Sequence, residues 1–238
     1  MKHSKRRLLV SITAMMLCVS GVILKGPASP VKKVVKAATN VGKVALKLNL
    51  PVPIMGSTPK NISPGVRLDK SLLGKHRGPF YVPPGLTNVA LHKPVTSSDT
   101  RPIIGSLELV TDGDKQGTDG SWVTLAPGKQ WVQIDLQKTY SLYALVVWHY
   151  HNEARIYHDV VVQISDDPNF AKDVHTVFNN DVHNELGLGT GKDYDYFENN
   201  EGKLIDTKGV KGRYVRLWSN GNTSDDENNY TEVEVYGK

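Results

Sequence analysis

Cysteine is almost absent from this 238-residue chain, which has only Cys18. Everything after that residue must therefore fold without a disulfide, unlike many small extracellular domains of animals. Acidic residues are absent from the first fifty positions, which hold ten Lys and Arg. The remaining positions hold nineteen basic and twenty-four acidic residues, a balance of −5, so the overall +5 belongs to one end. That asymmetry excludes a basic, nucleic-acid-binding globular domain. Long apolar runs are missing beyond residue 24, and no stretch has the 3.6-residue period of a long helix. Catalytic signatures are missing too: there is no G-x-S-x-G, no H-E-x-x-H and no cysteine placed as a nucleophile.

What is present begins with a charged start, Met1–Arg7, followed by the seventeen uncharged residues Leu8–Leu24. A positive n-region before an apolar h-region is an export signature. Residues 1–37 are therefore expected to be a signal peptide, cleaved after Val35-Lys36-Ala37, or a retained N-terminal anchor held inside by Lys2, Lys5, Arg6 and Arg7. Either reading puts the rest of the chain in a secreted or extracytoplasmic location, touching a membrane only through that segment. Residues 38–87 carry seven of the thirteen prolines and no regular period. They are expected to be a Pro-rich linker, or an arm that docks through Pro79-Phe-Tyr-Val-Pro-Pro84.

From residue 88 the pattern changes to short alternating segments. Val132, Ile134 and Leu136 share one face of Trp131–Leu136, Leu142–His149 is nearly continuously apolar, and Val160, Val162 and Ile164 alternate again. Arg213–Trp218 and Thr231–Tyr236 repeat that alternation before the chain ends. Many short strands with Gly- and Asn-rich connections predict an all-β fold, a β-sandwich or jelly roll over 88–238. Such a domain is large enough to bury a core without staples. Trp122, Trp131, Trp148 and Trp218 are expected in the core or at its rim.

Asn88-Val-Ala-Leu-His-Lys-Pro-Val-Thr-Ser-Ser98, Val110-Thr-Asp-Gly-Asp114, Trp122 and Trp131-Val-Gln-Ile-Asp-Leu136 stand in that order. They are followed by Ile164-Ser-Asp-Asp-Pro-Asn-Phe170, Gly212-Arg-Tyr-Val-Arg-Leu217 and Thr231-Glu-Val-Glu-Val-Tyr-Gly237. This ordered set resembles the discoidin domain, also called the coagulation-factor type C or galactose-binding-like domain. The resemblance implies a jelly-roll β-sandwich with ligand-binding loops at one end. The bracketing disulfide of animal members is missing, so the likeness is to bacterial sugar-binding relatives.

Thr111–Gly120 packs three carboxylates and three glycines into one turn, and hard cations such as Ca²⁺ want six to eight oxygens from groups of that kind. In the family this loop holds a structural calcium. Carried over, Asp112 is the side-chain ligand, Asp114, Gly117 and Thr118 contribute mainly carbonyls, and Glu232 closes the site. The competing reading is an ordinary solvated Asp/Gly turn.

Trp148–Asp159 joins two predicted strands and concentrates three His, two Tyr, an Arg and an Asn. Sugar recognition needs an apolar face for ring C–H groups and planar or charged partners for hydroxyls. Tyr150 or Tyr157 would supply the face, His149, His151 and Arg155 the polar groups, and Asn220 or Asn222 the asparagine that sugar-binding relatives use. Two alternatives stay open: a zinc site at His149, His151 and His158, and a purely structural cluster. The insertion 179–206 is long for a sandwich connection, and its Tyr194, Tyr196 and Phe197 are expected to fold over the ligand end. The expected function is exported, non-catalytic recognition of a glycan or cell-surface polymer. The alternatives are an envelope scaffold docking another protein and, with only Glu153 and Asp159 beside His158 in support, a polymer hydrolase.

Overall fold

The structure is a computed structural model that describes residues 42–54, 62, 65–70, 75–153 and 155–238. The expected export segment, residues 1–37, lies outside the described residues. Among the described residues ten strands follow one another: β1 (Val44–Ala45), β2 (Tyr81–Val82), β3 (Thr87–Asn88), β4 (Val95–Ser97), β5 (Val123–Leu125), β6 (Lys129–His149), β7 (Val161–Ser165), β8 (His175–Asn179), β9 (Lys203–Asn220) and β10 (Asn228–Gly237). A single 3-10 turn, Leu107–Thr111, sits between β4 and β5, and no α-helix occurs among the described residues.

Two long strands make the sandwich. The first half of β6 pairs with β4 and with the second half of β9, which also pairs with β7, while the second half of β6 pairs with β10 and the first half of β9. The β6–β9 ladder breaks between Asp135 and Tyr140, where Gln137 adopts a φ of 68°. One antiparallel sheet of order β3-β10-β6-β9-β7-β8 thus folds into two layers around a shared core. Alternation decides which side chains fill it. Val132, Ile134, Val162, Ile164, Val215 and Leu217 face inward and are fully buried, with Val233 and Val235 meeting them from the other layer. Each such side chain contributes roughly 1.5–3 kcal/mol.

Leu145–His149 reads as one apolar run because both its faces are covered, and all five residues are 0% exposed. Trp148, on the outer face, is covered by the insertion: its Nε1 donates to Asn200 O at 3.0 Å, and Gly202 lies against the indole. A Cβ at Gly202 would stand 2.7 Å from Trp148 Cε2, at a φ of 62°. The left-handed conformation alone costs roughly 1–2 kcal/mol for a residue with a Cβ, and the ring cannot retreat into a packed layer. Gly202→Ala is therefore expected to lower stability by about 2–3 kcal/mol in denaturant titration, whereas Gly120→Ala, with open space around its Cβ, pays only for its φ of 92°.

Several described residues of the Pro-rich segment contact the insertion. Arg67 and Asp195 exchange backbone and carboxylate hydrogen bonds, and the Arg67 guanidinium lies 5.0 Å from the Tyr194 ring centroid. Arg77 donates to the carbonyls of Gly202 and Glu201 at 2.9 and 3.0 Å, and Asn200 donates to Pro51 O at 3.1 Å. Pro51, Arg67 and Arg77 therefore all make contact with residues 192–202, and β1 pairs only with β2.

Candidate functional site

The described residues between β6 and β7 divide into an inward set and a surface set. His149 is fully buried, stacked on Tyr157 with centroids 4.2 Å apart, and its Nδ1 lies 2.6 Å from Glu198 Oε1. Tyr157 is 1% exposed and donates to Asn229 Oδ1 at 2.8 Å, and burial raises its pKa well above the ordinary phenol value. His151 is 2% exposed, with Nε2 2.8 Å from Lys115 O. None of these three offers surface to a ligand, and each completes a contact between the sandwich and a loop that covers it. Asn222 is buried and tied into its own turn, donating to Asp225 Oδ1 at 2.6 Å and to Glu227 O at 2.9 Å. Asn220 donates to Asp159 Oδ2 at 2.8 Å and lines a separate pocket of about 310 Å³ with His158, Asp159, Asn180 and Asp195. His149 and His151 face different partners, His158 lines the separate pocket, and among the described residues no three His, Cys, Asp or Glu are placed to share a metal ion.

The surface set is Tyr150 and Arg155, joined by Trp122. The Arg155 guanidinium lies 4.7 Å from the Tyr150 ring centroid, and Trp122 meets Tyr150 edge-on at 4.8 Å and 63°. Arg155 Nη1 donates to Asp225 Oδ2 at 2.9 Å and to Asn229 Oδ1 at 3.3 Å. Trp122 Nε1 and Asn229 Nδ2 both donate to Thr124 Oγ1, at 3.2 and 2.9 Å. All three of Tyr150, Arg155 and Trp122 are partly exposed. Two aromatic rings and a cation are thus fixed side by side by a hydrogen-bonded floor on β5 and β10. Trp122 was legible only as a core or rim residue, since nothing in its neighbours' sequence separates a rim tryptophan from a binding platform.

The acidic turn and Glu232 come together as expected from the sequence. Gly113 N–H donates to Glu232 Oε2 at 3.1 Å across 119 positions of chain. Asp112 accepts the N–H of Asp114, and Asp114 accepts from Gln116 N–H and from the Ser121 hydroxyl at 2.9 Å. Gly117, at a φ of 68°, packs against His151 and Asn152, and the Asn152 amide donates to its carbonyl. Thr118 is exposed, with its hydroxyl 3.2 Å from Ser121 Oγ. Glu232 is 0% exposed and its Oε1 has no hydrogen-bond partner. Burial pushes its carboxyl up to about 9, with Glu234 and Asp112 adding to the rise against the Gly113 hydrogen bond and Lys115. Lys115 Nζ pairs with Glu234, two positions along β10. A buried, orphaned carboxylate oxygen facing a turn rich in carbonyls fits a hard cation. Because no three acidic or histidine side chains converge, most other donors would be backbone carbonyls.

Residues 109–217 match the family model described as a NedA-like, galactose-binding domain of the F5/F8 type C group. The matched residues form the central part of the β-sandwich. Among solved structures similar to this β-sandwich is chitosan-binding module 1 of a chitosanase/glucanase from Paenibacillus sp. IK-5. It is 20% identical, with 63% of this chain and 99% of that one covered and a TM-score of 0.47. The CBM32 module of AlyQ, solved with 4,5-unsaturated mannuronic acid, is 19% identical over 60% of this chain and 92% of that one, at 0.45. A Streptococcus pneumoniae fucose-binding module is 23% identical over 63% and 98%, at 0.44. No curated protein matches the chain. The matched stretch runs from the 3-10 turn through most of β9, so it includes Trp122, Tyr150, Arg155 and the acidic turn.

Proposed function

We propose that the chain is an exported, non-catalytic carbohydrate-binding module whose discoidin domain takes a sugar on the Trp122, Tyr150 and Arg155 surface. The observation that carries this reading is the guanidinium held over one ring with a second ring edge-on to it. The pair supplies an apolar face for ring C–H groups and fixed donors for hydroxyls, the two things a pyranose needs. The match to a galactose-binding family model supports the ligand class. Arg155 is pre-organised by Asp225 and Asn229, which limits the ordering cost of binding. A structural calcium is part of the proposal: Glu232, Asp112 and the carbonyls of the 112–118 turn would hold it. Its positive charge would neutralise the buried Glu232 carboxylate and tie the turn to β10.

A glycan array finds the sugar, and calorimetry on the full chain then tests the surface. Tyr150→Ala and Arg155→Ala are each expected to weaken binding at least tenfold, about 1.4 kcal/mol, with unchanged melting temperatures. Trp131→Phe, on the opposite side of the alternation, leaves binding of that sugar intact. Equal affinity for all variants would move the site elsewhere. Retention of a second envelope protein by Tyr150→Ala, with no glycan bound by the parent, would favour the scaffold reading.

A further inference from the structure

The outer face of the β6-β9-β7 layer carries a second aromatic surface that the loop site does not use. Trp131 pairs across the ladder with Trp218, and Gln133 pairs with Arg216, which in turn pairs with Gln163. These positions alternate with the buried Val132, Ile134, Leu217 and Val215, so their side chains stand on the face away from the core. The two indoles meet edge-to-face at 6.3 Å. Arg216 lies among rings, 4.5 Å from the centroid of Trp131, 4.2 Å from that of Phe170 and 5.9 Å from that of Trp218. Trp131, Trp218, Phe170 and Arg216 are all partly exposed.

Arg216 is in no direct ion pair among the described residues, and Asp167 acts on it only from beyond ion-pair distance. Its Nε donates to Gln133 Oε1 at 2.9 Å and its Nη2 to Pro168 O at 3.3 Å, but it forms no ion pair among the described residues. Neighbouring Arg213, by contrast, is matched by a two-pronged contact with Asp135. Asp167, the nearby carboxylate, is engaged by the N–H groups of Asn169 and Ala171. Nη1 of Arg216 makes no hydrogen bond among the described residues, whereas Nε and Nη2 are engaged by Gln133 Oε1 and Pro168 O. A half-buried guanidinium with a spare Nη1 and no ion-paired anion is suited to donate a charge-assisted hydrogen bond to a ligand carboxylate. The flanking indoles offer flat apolar faces to the rings on either side.

We infer that this sheet face is a second binding surface, for an extended acidic polysaccharide whose uronate carboxylate pairs with Arg216 while its pyranose rings pack on Trp131 and Trp218. This inference is independent of the loop-site reading.

The test titrates the full chain with oligogalacturonate and, separately, with its fully methyl-esterified form, following indole fluorescence and the N–H resonances of the four tryptophans. Oligogalacturonate is expected to shift the Trp131 and Trp218 resonances and to bind less tightly as salt rises, and the ester is expected to leave them unmoved. Arg216→Gln should weaken binding at least tenfold, Arg216→Lys less, and Tyr150→Ala not at all. If Arg216→Gln proves unstable, the wild-type resonances decide by themselves. The inference is overturned by resonances that stay unmoved, by equal binding of the ester, or by loss in Tyr150→Ala but not in Arg216→Gln. Concentration-dependent self-association abolished by Arg216→Gln would also overturn it, since a second copy would then be the occupant.

Discussion

Glu198→Ala is expected to be the most damaging single substitution in the protein, costing about 3–5 kcal/mol, as when one partner of a buried ionisable pair is removed. In a domain of this size that corresponds to a melting temperature lower by about 6–20 °C. Glu198 and His149 are both without side-chain exposure and lie 2.6 Å apart. His149 is further confined by Tyr157 and by Tyr230, whose ring centroid lies 4.7 Å away. Truncating Glu198 leaves the imidazole with no partner on either nitrogen, because Nε2 already has none, and opens a cavity beneath the insertion. Replacing both members at once, as in His149→Phe with Glu198→Leu, is expected to cost less than the sum of the single changes, because no orphan remains. Thermal melting of the four proteins checks both statements. A Glu198→Ala cost below about 1 kcal/mol would mean that the pair is not the clamp it resembles. There is a functional consequence as well. Glu198 N–H donates to Arg155 O at 2.8 Å, so the insertion positions the backbone that carries the proposed sugar-binding guanidinium.

The second large effect concerns calcium. At a hundredfold excess over its Kd, a cation that binds only the folded state stabilises by about 2.7 kcal/mol, or about 5–10 °C of melting temperature for a domain this size. Excess chelator should remove that increment. Glu232→Gln separates the metal reading from a solvated turn, since it preserves shape and removes the charge. With chelator present the variant should melt at or above the wild type at neutral pH, because burial raises the Glu232 carboxyl to about 9 and the wild type must take up a proton to bury it, a cost the amide does not carry. With calcium added, the wild type should rise and the variant should stay where it is. Two outcomes argue against the site: a wild type indifferent to calcium and chelator alike, or a Glu232→Gln variant that gains as much from calcium as its parent.

The layers of the sandwich were legible because alternation is a geometric fact of a strand. Val132, Ile134 and Leu136, or Val160, Val162 and Ile164, can enter a core only if their neighbours point outward. The meeting of the acidic turn with Glu232 was legible only through the ordered family resemblance, since a separation of 119 positions carries no spacing signal. The proposed ligand loop was legible in composition but not in orientation. A histidine or tyrosine in a loop reads the same whether it lines a pocket or caps a core. Here His149, His151 and Tyr157 turn inward because Glu198, Lys115 O and Asn229 wait there to satisfy their polar atoms. Tyr150 and Arg155, from the same stretch, stay outside. Tyr196, expected to fold over the ligand end, instead packs edge-on to Phe178 at 5.9 Å beneath the Lys203 ammonium, and Tyr194 lies against Arg67. Proline spacing could not specify where residues 38–87 would rest, because their contacts with the insertion are polar ones made by individual residues such as Pro51, Arg67 and Arg77.

The most direct test of the central claim is a glycan array probed with the full chain in calcium, followed by calorimetric titration of the best sugar into wild type and Tyr150→Ala. A defined set of pyranosides is expected to bind, with affinity falling at least tenfold when Tyr150 is truncated and the fold unchanged. Absence of binding to every glycan, or binding that ignores Tyr150 and Arg155 alike, would contradict it.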